Sequence, residues 1–311
     1  MTRTVVATAY GGPEVLALQN VELPPPSPEQ VLVTVRAAAA NPIDYKLYSG
    51  AMGDNPAALP LPIGMEISGV VAEAPGRAVG YTGPLQVGDE VIATGIRGSG
   101  YADQVLVDAA DVGHKPATLS FEEAAGLLLA GATAWHLLMK TEVGSADTVL
   151  IHGAGGGVGL MAVQLAVLRG ATVIATASSA RHDQLRRLGA QPVEYGAGLA
   201  DRVRQLGRVT AALDLVGTDE ALDVSVELVP DRARIATITG FGRAGELGIA
   251  ALTGAGDGQA IRNAARPELI KLAAAGELKV AVDKVFPLEQ AADAHRYLQS
   301  GHARGKVVLV P

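Results

Sequence analysis

The N-terminal third of the chain consists of short apolar runs separated by proline and glycine. Val31, Val33 and Val35 recur at every second position, which is the period of a strand with one buried face. Runs of this kind predict strands at residues 4–9, 31–36, 67–73, 90–93 and 104–107. The proline-rich residues 23–28 cannot pair inside a sheet and are predicted to form a loop. Many short strands at this spacing indicate a small barrel or sandwich.

The pattern changes near Ser120, where helical stretches begin to alternate with short apolar strands. Ser120 and Glu123 have the spacing of a capping box, and residues 124–140 after it are predicted to form a pair of helices broken at Gly131. Further strands are predicted at 148–152, 172–177, 211–216 and 234–239, and further helices at 157–169 and 182–188. This alternation predicts an α/β domain with a doubly wound parallel sheet, whose ligands bind at the carboxyl ends of the strands.

A glycine cluster follows the strand at 148–152 and opens the next helix. Aligned on the G-x-G-x-x-G pattern, its three positions are Ala154, Gly156 and Gly159. The middle glycine lets the backbone approach a pyrophosphate, and the last lets the helix pack closely on the strand. The residues predicted to hold the pyrophosphate are Gly153, Ala154, Gly156, Gly157, Val158 and Gly159. A purely structural turn is the alternative, but the flanking strand and helix favour dinucleotide binding.

The C-terminal segment changes character again. Pro267 and Gly276 bracket a predicted helix over 266–276, with proline in its first turn and glycine just beyond its end. A strand at 282–286, a helix at 289–298 and a strand at 306–310 follow. We therefore expect a nucleotide-binding domain, residues 119–261, inserted between two pieces of a second domain, residues 1–118 and 262–311. The cleft between two such domains is the default place for an active site.

Composition narrows the possible functions. The 311 residues fit about two domains, and 49% apolar residues are enough for full cores. A net charge of −7 argues against nucleic acid or a membrane surface as partner, since both attract basic clusters. The sequence has no run of 18 apolar residues that could cross a membrane and no cysteine for disulfides, thiolate chemistry or metal ligation. We expect a cytoplasmic enzyme.

Seven segments follow one another over nearly the whole chain in the order found in one known family. They are residues 41–46 (NPIDYK), 62–71 (PIGMEISGVV), 87–91 (VGDEV), 119–125 (LSFEEAA), 133–135 (TAW), 151–159 (IHGAGGGVG) and 305–309 (GKVVL). Together they resemble the zinc-independent, zeta-crystallin-like quinone oxidoreductases of the medium-chain dehydrogenase/reductase superfamily. The resemblance implies a GroES-like, partly open β-barrel catalytic domain with a Rossmann domain. It also implies a homodimer that pairs through the Rossmann sheet edge, here expected near 234–239 and 247–255.

The residues expected around a catalytic metal argue against one. Zinc-binding relatives use cysteine, histidine and glutamate, whereas this chain has Asn41 and Asp44 in the corresponding region and Met65 beside Glu66. The six histidines, at positions 114, 136, 152, 182, 295 and 302, have no ligand spacing, and most are interpreted as ordinary surface or packing residues. The sequence therefore predicts a protein without a metal.

The end of the second strand of the α/β domain favours NADP(H) over NAD(H). An NAD site needs a carboxylate there for the ribose 2′-hydroxyl, and none occurs before Asp183. Ser178, Ser179 and Arg181 would instead donate hydrogen bonds to a 2′-phosphate. The alternative is that Arg181 merely begins a solvated helix. By resemblance, His182 stands where relatives often have a lysine, and Tyr195 matches a tyrosine that contacts the same phosphate.

The candidate catalytic residues also come from the resemblance. It implies that Asn41 contacts the nicotinamide end of the cofactor, that Asp44 braces its loop, and that Tyr45 or Lys46 faces the substrate. A packing ring for Tyr45 and a solvated charge for Lys46 remain the alternatives. The resemblance further places Thr133, Val216 and Phe241 beside the cofactor, the last two on loops after strands.

The combined prediction is an NADPH-dependent, zinc-free reductase. Without a metal as Lewis acid, acceptors that are already electrophilic by conjugation fit best, namely quinones, enones or enals. Two alternatives stay open, an enoyl-thioester reductase and a nucleotide-binding redox-sensing protein with little turnover. The first would need a basic track for the carrier's phosphates, and the sequence offers no obvious one.

Overall fold

The computed structural model describes residues 1–96 and 99–311 and divides into two compact units. The first unit comprises Met1–Leu129 and Pro267–Pro311, and the second comprises Ala130–Arg266. Within the described residues, no helix combines the length and the apolar character that a membrane span requires.

The elements run in chain order as follows. The N-terminal part contains β1 (Thr2–Ala7), β2 (Leu16–Val21), β3 (Gln30–Ala40), α1 (Pro42–Tyr48), β4 (Leu61–Pro62), β5 (Glu66–Glu73), β6 (Val79–Gly80), β7 (Gly83–Pro84), β8 (Glu90–Thr94), β9 (Gln104–Asp108), β10 (Val112–His114) and α2 (Phe121–Ala125). The middle part contains α3 (Leu128–Lys140), β11 (Thr148–His152), α4 (Gly157–Leu168), β12 (Thr172–Thr176), α5 (His182–Arg187), β13 (Gln191–Val193), α6 (Leu199–Leu206), β14 (Ala211–Asp214), α7 (Asp219–Leu228), β15 (Ile235–Thr237), α8 (Phe241–Leu247), β16 (Ala250–Ala251) and α9 (Asp257–Ala274). The chain closes with β17 (Val282–Pro287), α10 (Ala291–Gln299) and β18 (Lys306–Val310).

The first unit is built on a sheet with the strand order β10-β8-β5-β3-β18-β17, and β9 pairs with β3 as well. Val31, Val33 and Val35 are buried on β3, as their period predicts, and they belong to the core of this unit. The antiparallel pairing of β18 with β3 sets Val307 opposite Ala40. This register brings the start of the last strand next to the residue that follows β3, Asn41.

The second unit is an α/β domain with the strand order β13-β12-β11-β14-β15-β16, and all of its strand pairs are parallel. The order reverses on either side of β11, so the predicted doubly wound sheet is confirmed. The edge strand is β16, which pairs with β15 and lies within the stretch 247–255 that was expected at the sheet edge.

The predicted helix break at Gly131 is wrong. Gly131 lies inside α3, and the chain instead breaks at Gly126, where α2 ends. A Cβ atom on Gly126 would lie 2.8 Å from Cγ of Lys306 and 3.0 Å from Cγ1 of Val280. A close approach of other chain segments therefore fixes the break.

The predicted start of a helix at Arg266, with Pro267 in its first turn, is also wrong. Helix α9 begins at Asp257 and runs through Pro267, although proline removes one backbone hydrogen bond of a helix. Ala265, Leu269 and Ala273 recur every four residues and are almost completely buried. Burial of these three side chains outweighs the preference of proline for the first turn of a helix. Gly276 has a φ of 74°, as expected for a glycine that ends a helix.

Candidate active site and nucleotide-binding edge

The predicted catalytic segment forms the start of α1. Asn41 has extended backbone angles and precedes Pro42, whose fixed φ suits the first helical position. Asp44 reaches back from the first turn, and its Oδ2 atom accepts a hydrogen bond of 2.8 Å from the backbone N–H of Asn41. The local sequence N-P-x-D thus folds into a self-capped helix start, and the Asp44 side chain braces it.

The side chain of Asn41 forms hydrogen bonds with both members of a buried ion pair, Glu66 and Lys306. Its Nδ2 donates to Oε1 of Glu66 at 3.0 Å and to the carbonyl of Ala39 at 3.1 Å. Its Oδ1 accepts from Nζ of Lys306 at 2.6 Å, and Lys306 also donates to Oε1 of Glu66 at 2.7 Å. Oε2 of Glu66 accepts from the backbone N–H of Leu129 at 2.9 Å. These contacts fix the orientation of the Asn41 amide.

Lys306 is a site residue that sequence reasoning missed. It is only 5% exposed, and its ion-pair partner Glu66 is 1% exposed. The available signal was a lysine at the head of the otherwise apolar strand KVVLV. Its relevance depends on the register of β18 with β3, which places it beside Asn41.

The described residues contain no group of three or more histidine, cysteine, aspartate or glutamate side chains arranged to hold a metal ion. Asn41 and Glu66 instead share the ammonium group of Lys306 between them. The side-chain oxygens that could coordinate a metal here therefore accept hydrogen bonds from a lysine cation. The metal-free site stays a prediction.

Asp44 is completely buried and belongs to a chain of hydrogen bonds. Its Oδ2 accepts from the hydroxyl of Tyr101 at 3.0 Å, and that hydroxyl lies 3.0 Å from Nε2 of His295. Nδ1 of His295 lies 2.8 Å from the hydroxyl of Tyr48. Burial raises the pKa of Asp44 to about 7, although hydrogen bonds from Asn41 and Tyr101 oppose this shift.

The two candidate substrate-facing residues are both partly exposed on α1. Tyr45 packs in part against the core of the first unit, and its burial raises the pKa of its phenol. The phenol therefore stays neutral at neutral pH and can donate a hydrogen bond. Lys46 lies in the last turn of the helix.

In the second unit, the predicted glycine loop lies between β11 and α4. Gly153 has a φ of 73°, and Gly156 is the N-cap of α4. A Cβ atom on Gly159 would lie 2.5 Å from the carbonyl oxygen of Gly153, so the helix packs directly on the turn. A Cβ on Gly156 would meet nothing closer than 3.6 Å, and Gly156 is exposed. The loop therefore has the open backbone face that a pyrophosphate needs.

The end of β12 carries the residues predicted to select the cofactor. Ser178 is half-buried and Ser179 is exposed. Arg181 is only 9% exposed, and its side chain lies across the glycine loop, with Cγ 3.0 Å from the position that a Cβ of Gly155 would take. Arg181 is also the N-cap of α5, and its role at a 2′-phosphate stays a prediction. Nε2 of His182 lies 3.3 Å from the carbonyl oxygen of Ala177, which ties the ring to its own loop.

Tyr195 follows the neighbouring strand β13. The backbone N–H of Ala177 donates to the carbonyl of Val193 at 3.1 Å, so the ends of β12 and β13 lie side by side. The ring of Tyr195 is 58% exposed and projects away from the core. Thr133, the remaining cofactor candidate near the start of the unit, is buried within α3.

Asp214 at the end of β14 is a second residue that sequence reasoning missed. Its Oδ1 accepts from the backbone N–H groups of Val216 and Gly217 at 3.1 and 2.9 Å. Its Oδ2 accepts from the hydroxyl of Thr237 at 2.6 Å. One fully buried carboxylate thus fixes the ends of two adjacent strands.

Val216 lies on the loop held by Asp214, as predicted, and is 48% exposed. Phe241 was expected on a loop, but it is the first residue of α8. The reason is the anchored turn before it, because the N–H of Gly240 donates to the hydroxyl of Thr237 at 2.7 Å. Phe241 is 47% exposed at the same carboxyl edge of the sheet.

Two known protein families match most of the chain. Residues 27–142 match the alcohol dehydrogenase GroES-like domain, and residues 188–309 match the zinc-binding dehydrogenase family. The chain is 33% identical to a quinone oxidoreductase of Pseudomonas aeruginosa, over the full length of both proteins. It is 32% identical to a chloroplastic NADPH-dependent alkenal/one oxidoreductase of Arabidopsis thaliana, over 98% of this chain and 78% of that protein.

Solved structures agree with these matches. The crystal structure of an Escherichia coli quinone oxidoreductase complexed with NADPH covers the whole of both chains with a TM-score of 0.86 at 28% identity. The predicted fold class, a GroES-like domain together with a Rossmann doubly wound domain, is confirmed.

Proposed function

Because the chain belongs to the quinone oxidoreductase family of the medium-chain dehydrogenase/reductase superfamily, we propose that it is an NADPH-dependent reductase of conjugated small molecules. Quinones and enones are the acceptor classes. Relatives named for each class match nearly the whole chain, the quinone oxidoreductase of Pseudomonas aeruginosa and the alkenal/one oxidoreductase of Arabidopsis thaliana.

The observation that carries the cofactor assignment is Arg181 lying across the open glycine loop, with no carboxylate at the end of β12. In this proposal, the backbone of Gly153, Ala154 and residues 156–159 holds the pyrophosphate at the start of α4. Arg181 donates to the 2′-phosphate. Ser178, Ser179, His182 and Tyr195 complete the phosphate site. Thr133, Val216 and Phe241 bind the nicotinamide end.

Reduction of a conjugated acceptor builds negative charge on its carbonyl oxygen. The bound NADPH supplies the hydride. We assign the stabilisation of that charge to Tyr45, whose neutral phenol is a hydrogen-bond donor, and to the ammonium group of Lys46. Asn41 contacts the nicotinamide end from its fixed position, and Asp44 braces the helix that carries all four residues.

We expect oxidation of NADPH, well above that of NADH, in the presence of at least one of 1,4-benzoquinone, 9,10-phenanthrenequinone and a simple enone. The reason is the phosphate site at the end of β12 and the preference of a metal-free site for conjugated acceptors. Initial rates from the absorbance of the reduced nicotinamide, measured for both cofactors with each acceptor, check this. The preferred acceptor decides between a quinone and an enone reductase.

Two other outcomes would contradict the proposal. Binding of NADPH without turnover of any acceptor would favour a redox-sensing protein. Turnover confined to an enoyl thioester would favour the corresponding thioester reductase.

The role of Arg181 is testable by itself. In Arg181→Gln, the KM for NADPH is expected to rise by about tenfold or more, because a charge-assisted hydrogen bond contributes about 1.5–3 kcal/mol. The KM for NADH should stay within about twofold of that of the wild type, since NADH has no 2′-phosphate. Steady-state kinetics with both cofactors measure this. Arg186→Gln is the matched control, because Arg186 is exposed and pairs with Asp183. Equal losses for both cofactors would refute the assignment.

Further features of the proposal follow from composition and family. We place the enzyme in the cytoplasm, without nucleic-acid or membrane partners, in keeping with its acidic charge. We also propose a homodimer formed through the edge strand β16 and the stretch 247–255 around it. The domain boundaries at residues 118/119 and 261/262 stay a prediction.

A further inference from the structure

Helix α1, which carries the proposed catalytic residues, is only seven residues long and is held from one side. Asp44 and Tyr48 are four positions apart, so they lie on one face of the helix, and both are completely buried. Each is linked to the same residue, His295 of α10, Tyr48 directly and Asp44 through the hydroxyl of Tyr101. The ring of His295 also stacks on Tyr48 at a centroid distance of 5.4 Å.

The four groups form one continuous hydrogen-bonded chain, Asp44–Tyr101–His295–Tyr48, whose direction depends on the protons present. When Asp44 is ionised, Tyr101 donates to it, so Tyr101 must accept from Nε2–H of His295. Nδ1 of His295 then accepts from the hydroxyl of Tyr48. This arrangement holds three protons in the four groups.

When Asp44 takes up one proton from solvent, the chain holds four protons and runs the other way. Among the described residues, Oδ1 of Asp44 has no hydrogen-bond partner, so the proton belongs on Oδ2, which faces Tyr101. Tyr101 then donates to Nε2 of His295, and Nδ1–H of His295 donates to Tyr48. His295 stays neutral in both states but changes tautomer.

We propose that His295 is a positioning residue for helix α1, and that its tautomer reports the protonation of Asp44 through Tyr101. The ionised state gives the N–H of Asn41 a charged acceptor, which is the stronger brace, and the protonated state gives it a neutral one. The consequence for catalysis rests on the proposed reductase function. The tautomer change does not.

The surroundings of the four hydrogen-bonded groups let Asp44 change its charge near neutral pH while His295 stays neutral. Burial is the largest influence on the pKa of Asp44 and raises it to about 7. The hydrogen bonds from Asn41 and Tyr101 and the charge of Lys306 lower this pKa, and the charge of Glu66 raises it. Burial lowers the pKa of His295 to about 4, so the ring is neutral wherever Asp44 titrates.

The groups around the two phenols do not offer a competing titration near neutral pH. The pKa of Tyr101 is raised well above its ordinary value by burial and then by the neighbouring Asp44. Tyr48 faces Asp44, Glu14, Tyr45 and Arg296, and burial is again the main cause of its raised pKa. Asp44 is therefore the group of the chain that changes charge near neutral pH.

The test is nitrogen NMR of the full-length protein labelled with ¹⁵N-histidine, since the two tautomers have different ¹⁵N shifts. We expect the Nε2–H tautomer of His295 at about pH 8.5 and the Nδ1–H tautomer at about pH 5.5. The midpoint should lie near the Asp44 pKa of about 7. The signal is assigned from His295→Gln or, if that variant does not fold, from the shift that Tyr48→Phe causes.

Asp44→Asn is the decisive variant. The N–H of Asn41 and the hydroxyl of Tyr101 contact the same atom, Oδ2, so the amide oxygen takes that place and accepts from both. Tyr101 then donates to residue 44 at every pH, and His295 should stay in the Nε2–H tautomer at both pH values. A single unchanged tautomer in the wild type, a charged imidazole, or a transition that persists in Asp44→Asn would each overturn the proposal.

Kinetics provide the second readout. Tyr101→Phe interrupts the chain and should lower kcat/KM for the acceptor by about tenfold, through misplacement of α1, with the Kd of NADPH unchanged. Because the hydrogen bond from Tyr101 lowers the pKa of Asp44, its loss should also move the inflection of the kcat/KM profile to higher pH. His302→Gln is the control, because His302 is exposed and does not belong to the hydrogen-bonded chain of Asp44, Tyr101, His295 and Tyr48. An inflection that stays at the wild-type pH in Tyr101→Phe would contradict the proposal. If no acceptor is turned over, the reductase assignment fails. The NMR result still decides whether the tautomer of His295 follows the protonation of Asp44.

Discussion

Lys306→Met is expected to lower the free energy of unfolding by about 3–5 kcal/mol, because it leaves the carboxylate of Glu66 buried without its cation. Glu66 and Lys306 are 1% and 5% exposed, so water cannot replace the lost partner at low cost. The variant also removes the donor that fixes Oδ1 of Asn41, so kcat/KM for the acceptor should fall with stability. Urea denaturation, followed by circular dichroism, measures the first effect.

Two comparisons separate this effect from a general loss of lysine. Lys271→Met should change stability by no more than about 0.5 kcal/mol, because Lys271 is exposed and its ion pair with Glu268 lies on the surface of α9. The double variant Lys306→Met with Glu66→Gln should be more stable than Lys306→Met alone, since a neutral amide no longer needs a cation. If Lys306→Met were as stable as Lys271→Met, the ion pair would not be important for folding.

Short-range patterns allowed most of the fold to be predicted. The period of two at Val31, Val33 and Val35 marks one buried strand face, and it does so whatever β3 pairs with. The glycine loop is similar, because strand, turn and helix lie within about twenty residues and their chemistry is local. These features needed no knowledge of distant segments.

The parts that were wrong depend on distant segments. A break was predicted at Gly131, but the packing of Lys306 and Val280 places it at Gly126. The helix through Pro267 was missed because burial of Leu269 and its neighbours outweighs a local rule. Propensity is a weak prior wherever tertiary packing acts against it.

The candidate site divides in the same way. Asn41 and Asp44 were found in one short motif, whereas Lys306 lies 265 positions from Asn41 in the chain. His295 was interpreted as one of several ordinary histidines, since nothing near it in sequence marks it. Its partners Tyr48 and Tyr101 are 247 and 194 positions away. Only the pairing of β18 with β3 and the packing of α10 bring these groups together.

Gly159→Ala is expected to destabilise the second unit by about 3 kcal/mol, the upper end for overpacking, because the added methyl group meets backbone that cannot rotate away. Its Cβ would lie 2.5 Å from the carbonyl oxygen of Gly153 and 2.6 Å from atoms of Ala154. Either α4 must move off the turn or the turn must open. Thermal unfolding and the yield of soluble protein measure the effect.

Gly156→Ala is the matched control, with the opposite balance of effects. The nearest atom to its Cβ would be the carbonyl oxygen of Gly153 at 3.6 Å, and the backbone angles of Gly156 suit any residue. The free energy of unfolding should therefore fall by about 1 kcal/mol or less. The methyl group would instead occupy the face that the pyrophosphate approaches, and the Kd of NADPH should rise by about tenfold or more. The two glycines therefore separate folding from binding within one loop. A Gly156→Ala protein that binds NADPH like the wild type would show that the pyrophosphate does not lie against this turn, whatever the fate of Gly159→Ala.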